Sequence, residues 1–338
     1  MIMNICANCF NDEEIKQFIV ASSTAIAECD CCGQKSEVID LSELSDFFVE
    51  FLGLFIKDDN GYDFVQLIKR DWNIFSSDTC AHTILSSIIT EENLDFTIDN
   101  KVSYSFEIQE CFSVWERLKA EVREEKRYFS DLGSFNWEGY IKSNARIKKG
   151  TTLYRARITP DGRKKLMTKE MGCPPKERAT PGRANPLGIP YLYLCNKVET
   201  TYYEVRAVYL DRISIGRFRI LRDLNIVDFS NKINLFYAYS GAESNEDLQE
   251  IVKRKILFDK ISTDLSKPLR RFDTEIEYVP TQLICEYCKQ NGADGIRFNS
   301  SLHQGGTNVV LFNSVDAKCT RVLTHEIKNV KIESRPLP

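Results

Sequence analysis

The stretch GRANPLGIPYLYLCNKVETTYYEVR, residues 182–206, joins a loop, a strand and a helix, and it decides the fold of the C-terminal half. Prolines and glycines between residues 181 and 190 prevent regular structure at its start. The apolar run 191–195 then predicts a buried strand. From Lys197 onward, apolar side chains recur three and four positions apart, which predicts a helix.

Three residues of this unit differ in chemistry in a way that suits one reaction. Arg183 offers a planar cation that can bind a phosphate through two parallel hydrogen bonds. Tyr193 offers a flat ring, and Glu204 offers a carboxylate that can stabilise a developing positive charge. Together they suit cleavage of the glycosidic bond of a nucleotide. The structural alternative is an exposed loop arginine, a core tyrosine and a surface glutamate, since each residue type is common in such places.

Length and composition indicate a globular protein of more than one domain. The chain has 338 residues, of which 43% are hydrophobic and 28% charged, and this length suggests two or three domains. Its net charge of −4 gives no general attraction to nucleic acid or to an anionic membrane. The N-terminal residues MIMNICANCFNDEE lack the apolar segment of a signal peptide, and no run reaches the length of a membrane span. We therefore expect a cytoplasmic protein with no membrane partner.

Cysteines cluster near the N-terminus. Cys6-Ala-Asn-Cys9 is followed, after nineteen residues, by CDCC at residues 29–32. Two such pairs are typical of a four-thiolate zinc ribbon, because each tight turn directs two sulfurs at one ion. The predicted ligands of this structural zinc are Cys6, Cys9, Cys29 and Cys32. Buried free thiols, a redox pair, or Cys31 in place of a neighbouring ligand are the alternatives. Acidic residues between the pairs argue against nucleic-acid binding.

Residues 41–147 are predicted to be mostly helical. In LSELSDFFVEFLGLFIK, residues 41–57, apolar side chains recur at helical spacing and form one wide stripe. The stripe consists of Leu44, Phe47, Phe48, Phe51, Leu52 and Phe55. It is either core or a partner surface, and it would suit the interface of a helical homodimer.

Strand patterns begin after a break near residues 145–150. TTLYRARI, residues 151–158, places Arg155 in a strand, and two further strands, two helices and a strand–loop–strand segment are predicted after it. Near the C-terminus, Ser300 and Ser301 open a loop that contains Gly305-Gly306 and ends at Asn308. Glycines there would let the backbone approach a ligand closely, while hydroxyl and amide groups orient it. A plain hairpin loop is the alternative.

Four motifs in order resemble the RES domain family, which is named for its arginine, glutamate and serine. They are LYRAR (153–157), GRANPLG (182–188), YLYL…ETTYYEV (191–205) and FNSS…GGTNVVLF (298–312). The N-terminal CANCF…CDCCG, followed by helices, is similar to the zinc-bearing, HEPN-like extension found ahead of some RES domains. A convincing Arg-x4–6-His motif of HEPN nucleases is not found, so the resemblance implies no ribonuclease activity.

The resemblance implies a fold like that of ADP-ribosyltransferase toxins and consumption of NAD, often by the toxin of a toxin–antitoxin pair. The catalytic residues that it implies are Glu204, Arg183, Tyr193 and Ser300. The NAD-binding residues that it implies are Arg155, Asn185, Ser301 and Asn308. Ser300 matches the family serine better than Ser301 because Asn308 follows it by eight residues. Ala184 stands where small toxins of the family often have an aromatic residue after the arginine. This difference bears on how the pocket is packed more than on the chemistry.

These observations predict an α+β protein that degrades NAD. The predicted domains are a zinc ribbon (1–40), a helical HEPN-like domain (41–147) and a RES domain (148–338). The predicted reaction cleaves the nicotinamide–ribose bond, with water, phosphate or a protein side chain as acceptor. We expect a toxin or defence effector restrained by an antitoxin or regulatory partner. The alternatives are an ADP-ribosyltransferase that modifies a macromolecule and a non-catalytic adaptor that binds zinc and a nucleotide.

Overall fold

The structure is a computed structural model, and it divides the chain into two compact units. The described residues are 3–128, 130, 137–230, 233–240, 247–267 and 275–331. The first unit is Met1–Ser113 with Lys232–Ile256, and the second is Val114–Asn231 with Leu257–Pro338. These units differ from the three consecutive domains predicted from sequence. Residues 1–40 share a hydrophobic core with residues 41–108, and residues 232–256 return to that unit.

The described residues form ten α-helices and thirteen strands. The helices are α1 (Glu13–Ser22), α2 (Ser45–Leu52), α3 (Phe64–Asp71), α4 (Asp78–Glu91), α5 (Phe106–Ala120), α6 (Trp137–Tyr140), α7 (Val198–Glu204), α8 (Leu235–Tyr239), α9 (Leu248–Ser266) and α10 (Val279–Gln290). The strands are β1 (Asn4–Cys6), β2 (Ala25–Glu28), β3 (Lys35–Asp40), β4 (Phe55–Asp63), β5 (Lys101–Tyr104), β6 (Ala145–Ile147), β7 (Thr152–Ile158), β8 (Leu192–Cys195), β9 (Arg212–Ile220), β10 (Leu224–Asp228), β11 (Gly295–Asn299), β12 (Thr307–Leu311) and β13 (Ala317–Glu326). This composition confirms the predicted α+β class.

The first unit begins with a small antiparallel sheet in the order β1-β3-β2. Helix α1 lies between β1 and β2 in sequence, and it begins where the Asp12 carboxylate accepts hydrogen bonds from the backbone N–H groups of Glu14 and Ile15. Such a cap satisfies two of the donors that a helix N-terminus leaves unpaired. The sheet places a cysteine-bearing turn at each of two strand ends.

The aromatic stripe predicted in residues 41–57 is the core of the first unit. Phe47, Phe48 and Phe51 on α2 are at most 2% exposed, and Phe47 packs edge-on against Phe236 with ring centroids 5.1 Å apart. Phe55 is buried as well, but it belongs to β4 because α2 ends at Leu52. The prediction that the stripe suits a homodimer interface is therefore wrong, since these side chains are already covered by their own unit. The HEPN-like character of residues 41–147 stays a prediction.

An eight-stranded sheet organises the second unit, in the order β13-β9-β7-β8-β12-β11-β10-β6. Neighbouring strands of this sheet are antiparallel, except that β10 and β11 are parallel. Strand β6 pairs with β10, so this sheet begins three residues before the predicted domain boundary at residue 148. The edge strand β13 and the β4–β5 pair of the first unit were absent from the sequence-based prediction.

Within the part of the chain that the structure describes, no helix combines the length and the apolar character needed to span a bilayer.

Candidate active site and cysteine centre

A cavity of about 430 Å³ lies in the second unit, and most of the predicted site residues line it. The predicted residues that line it are Arg155, Arg183, Asn185, Tyr193, Glu204 and Asn308. Its volume falls within the range of about 300–1,000 Å³ that is typical of small-molecule sites. Ser300 contacts Glu204 at this cavity, whereas Ser301 is directed elsewhere.

Sheet order explains why residues so distant in sequence meet at this cavity. Strand β8 lies between β7 and β12, and its Cys195 is opposite both Tyr154 and Asn308. Arg155 therefore comes from one neighbour of β8 and Asn308 from the other. The chain leaves β8 and enters α7 within three residues, which brings Glu204 to the same place.

The loop before β8 is held against Tyr193 by hydrogen bonds. The Tyr193 hydroxyl donates to Asn185 Oδ1 at 2.7 Å and accepts from the backbone N–H of Ala184 at 3.1 Å. A Cβ at Gly182 would lie 2.8 Å from the Tyr193 hydroxyl oxygen, so only glycine permits this approach. Burial raises the pKa of Tyr193, which keeps its hydroxyl protonated as a donor. The hydroxyl therefore positions the loop, while the ring lines the cavity.

Two arginines bring positive charge to the cavity. The Arg183 Nη1 donates to the backbone oxygen of Asp264 at 2.7 Å, and its guanidinium lies 5.3 Å from the ring centroid of Tyr278. The Nη1 of Arg155 is buried and has no hydrogen-bond partner among the described residues. Burial, with the nearby Arg157 charge, lowers the pKa of Arg155. An anion bound in the cavity would supply the missing acceptor, because buried donors are almost always paired.

Glu204 is the last residue of α7, and its carboxylate accepts hydrogen bonds from two side chains of other segments. Its Oε1 accepts from Asn308 Nδ2 at 2.8 Å and from the Ser300 hydroxyl at 3.3 Å. Ser300 and Asn308 are 9% and 7% exposed, whereas Glu204 is solvent-accessible. The Ser301 hydroxyl instead donates to the backbone oxygen of Ser266 at 2.6 Å. The structure therefore brings Ser300, and not Ser301, to the carboxylate.

Sequence reasoning missed a contact that fixes the Ser300 loop to α7. The His303 Nδ1 lies 2.9 Å from the Thr200 hydroxyl, and the His303 ring stacks on Tyr203 with centroids 5.2 Å apart. A Cβ at Gly306 would clash with the Thr200 side chain, so the glycine permits the close approach. Tyr203 also lines the cavity. A lone histidine in a polar loop gives no signal of such a contact in the sequence.

Comparison with protein families identifies the second half of the chain. The RES domain model matches residues 152–335, which is more than half of the chain. The chain belongs to the RES domain family. No curated protein matches it. Among solved structures, a similar one is the "Crystal structure of the M.tuberculosis MbcT-MbcA toxin-antitoxin complex", at 14% identity with a TM-score of 0.32, covering 55% of this chain and 90% of that chain.

The cysteine centre belongs to the first unit. The Sγ atoms of the four predicted ligands lie within 4.8 Å of one another, and all but Cys32 are fully buried. The Sγ of Cys6 is 3.9 Å from that of Cys9 and 3.5 Å from that of Cys32, and Cys9 and Cys29 are 3.6 Å apart. A tetrahedron of sulfurs at about 2.3 Å from zinc has edges of about 3.8 Å. The four side chains therefore fit one zinc ion.

Proposed function

We propose that this protein cleaves the nicotinamide–ribose bond of NAD. The observation that carries the proposal is the carboxylate of Glu204, which is held by Ser300 and Asn308 in the cavity that Arg155 and Arg183 also line. Membership of the RES domain family supports NAD as the substrate. The bound molecule would place its pyrophosphate near the arginines and its nicotinamide ring near Tyr193.

Glu204 acts on the charge that develops during bond breaking. When the C–N bond to nicotinamide breaks, its electron pair leaves with the ring, and the ribose becomes an oxocarbenium-like cation. A carboxylate already held in place stabilises that cation without reorganisation, and such preorganised contacts are worth about 3–4 kcal/mol in comparable sites. Ser300 and Asn308 keep the carboxylate in position by donating to one of its oxygens.

The arginines bind substrate and do not take part in bond breaking. Arg155 has a buried Nη1 with no partner among the described residues, so a pyrophosphate oxygen would satisfy it. Arg183 is oriented by the Asp264 carbonyl, lies over the Tyr278 ring and lines the same cavity. Fork-shaped cations suit phosphate oxygens because they can donate two parallel hydrogen bonds.

The direct test is the release of nicotinamide from NAD by the purified full-length chain. Glu204→Gln should lower the rate about 10²- to 10³-fold, because the amide removes the negative charge. Glu199→Gln, on the exposed first turn of the same helix, is the matched control and should retain the wild-type rate. Equal rates in all three proteins would reject the role of Glu204, and no release by any of them would favour a nucleotide-binding adaptor.

The fate of the ADP-ribose distinguishes NAD cleavage to small products from ADP-ribosyl transfer to a macromolecule. A glycohydrolase or phosphorylase would leave the ADP-ribose product small, whereas a transferase would attach it to a macromolecule. NAD labelled in the adenosine part should therefore yield only small labelled products. Label on protein or nucleic acid would establish the transferase reading instead.

We further propose that cleavage depletes NAD in the cell and makes the protein a toxin or defence effector with an antitoxin or regulatory partner. The support is the RES domain assignment, together with the family's frequent place in toxin–antitoxin pairs. Induced expression of the wild-type chain should lower cellular NAD and arrest growth, and Glu204→Gln should do neither. Arrest by both proteins would show that growth inhibition is independent of the carboxylate.

We propose that Cys6, Cys9, Cys29 and Cys32 hold one structural zinc in a ribbon formed by residues 1–40. The support is the distance between their sulfurs and the turns that carry them. Four thiolates complete the tetrahedron, so this zinc would stabilise the fold and leave no coordination position for a substrate.

A further inference from the structure

Two cysteines that the four-thiolate site does not use lie beside it. The Sγ atoms of Cys31 and Cys80 lie within 4.8 Å of each other and of Cys9 Sγ. Cys9 therefore belongs to two groups of sulfurs, one with Cys6, Cys29 and Cys32 and one with Cys31 and Cys80. Cys80 is far from the ribbon in sequence and is brought to it by the fold.

Hydrogen bonds at the start of a helix fix the position of Cys80. It lies in the first turn of α4, where its backbone N–H donates to the Ser77 hydroxyl, which caps the helix. The Ser76 hydroxyl donates to Cys80 Sγ at 3.7 Å. Hydrogen bonds to metal-ligating atoms from such neighbouring groups are usual in metal sites.

We propose that this cluster binds a second zinc ion, held by Cys9, Cys31 and Cys80, with Cys9 as a thiolate that bridges the two ions. The proposal rests on the first zinc site proposed above. Cys80 is 6% exposed, whereas Cys31 is half-buried, so solvent can reach the second ion and supply its fourth ligand. Three protein ligands and one solvent position is a common arrangement for zinc.

Charge balance is compatible with a second ion. Binding Zn²⁺ to the Cys31 and Cys80 thiols releases two protons, and the two new negative charges cancel the charge of the ion. The pair of ions with six thiolates therefore carries the same net charge of −2 as a single ion with four. The second zinc adds ligand bonds without adding net charge to a largely buried cluster.

Metal content of the full-length chain tests the proposal. The protein is purified after expression with added zinc, and zinc per chain is measured by mass spectrometry. We expect two zinc ions in the wild type and one in Cys80→Ser. Cys111→Ser is the matched control, because Cys111 is buried in the same unit outside both sulfur groups, and it should keep two.

Other outcomes overturn the proposal. One zinc ion per chain in the wild type would mean that only the first site exists, whichever thiol completes it. Two zinc ions per chain in Cys80→Ser would show that Cys80 is not a ligand of the second ion. No zinc in the wild type would reject both sites, while the NAD reaction is measured separately.

A second measurement covers the case in which Cys80→Ser fails to fold. Replacing zinc with cadmium in the wild type gives an ultraviolet thiolate charge-transfer band whose intensity reports the number of ligating thiolates. Six are expected, and four would overturn the second site. Cys31→Ala, at a half-buried position, should also halve the zinc content, and an unchanged content would exclude Cys31.

Discussion

The cysteine centre and the cavity of the RES domain are assembled over very different distances along the chain. Cys6 and Cys32 are 26 positions apart, and turns at neighbouring strand ends bring their sulfurs together. Glu204 and Asn308 are 104 positions apart, and only the order of strands in the eight-stranded sheet joins them. The first arrangement depends on local turns, whereas the second depends on tertiary topology. Changes at the two sites should therefore differ in kind, with stability lost at one and rate lost at the other.

The largest expected effect belongs to the cysteine centre. Cys9→Ser removes the sulfur common to both groups and should abolish zinc binding, lowering the melting temperature of the first unit. Apparent binding free energies of structural zinc reach about 10–16 kcal/mol in small zinc domains, so the loss should exceed that of any other single change. Circular dichroism during heating, with metal analysis, measures both quantities.

The control for that change is Cys285→Ser. Cys285 is fully buried in α10, and it belongs to neither sulfur group among the described residues. Its replacement should leave zinc content unchanged and lower stability modestly. If Cys9→Ser and Cys285→Ser have the same melting temperature, the cysteine centre contributes no more to stability than an ordinary buried cysteine.

A smaller effect, on rate, should separate Ser300 from Ser301. Ser300→Ala removes a hydrogen bond to the Glu204 carboxylate, and bonds to charged groups are worth about 1.5–3 kcal/mol, or about 10- to 160-fold in rate. Ser301→Ala removes a bond to a backbone carbonyl and should leave kcat nearly unchanged. Steady-state kinetics of nicotinamide release compares the two. A larger fall in kcat for Ser301→Ala than for Ser300→Ala would show that Ser301, and not Ser300, supports the carboxylate.

Tyr193→Phe should affect binding of NAD more than the chemical step. It removes the donor to Asn185 Oδ1, and a buried acceptor left without its partner costs about 1–3 kcal/mol. The loop that carries Arg183 should loosen, which raises KM severalfold and changes kcat less. Tyr209→Phe is the control, since Tyr209 is 63% exposed. A fall in kcat at unchanged KM would contradict this account.

The smallest effect concerns a partly exposed ion pair of the second unit. Arg163 holds the Glu170 carboxylate through two hydrogen bonds of 2.8 Å, which lowers the pKa of Glu170 from 4.5 to about 2. Since the folded-state pKa is depressed, the stabilisation is present above the unfolded-state pKa and is lost as pH falls from about 4.5 to about 2. The gap in urea midpoint between wild type and Glu170→Gln should be small at pH 7 and smaller at pH 3. A gap that widens in acid would contradict the sign.

Much of the fold could be predicted because its elements carry local patterns. Residues 191–204 show an apolar run and then helical spacing, and the structure has β8 and α7 there. The edge strand β13 was missed because it is covered on one side only and Val322 is one of few buried apolar side chains in it. The aromatic stripe of residues 44–55 was predicted correctly as an apolar cluster, but its suggested role as a homodimer interface was wrong. A helix stripe looks the same in sequence whether its own core or a partner covers it.

The candidate site shows where sequence reasoning ends. Family motifs pointed to Arg155, Arg183 and Glu204, which line one cavity. The motifs favoured Ser300 over Ser301 on spacing alone, whereas the direction of each hydroxyl depends on the path of the loop and is seen only in the structure. The His303–Thr200 contact and the position of Cys80 beside Cys9 follow only from tertiary structure.

The measurement that tests the central claim most directly is the affinity of Glu204→Gln for NAD, set beside its rate of nicotinamide release. A carboxylate that stabilises the transition state contributes to rate and little to binding of the substrate. Equilibrium binding of NAD to Glu204→Gln should therefore match the affinity of the wild type, while nicotinamide release is lost. Loss of NAD binding together with release would contradict the account, because Glu204 would then be a binding residue.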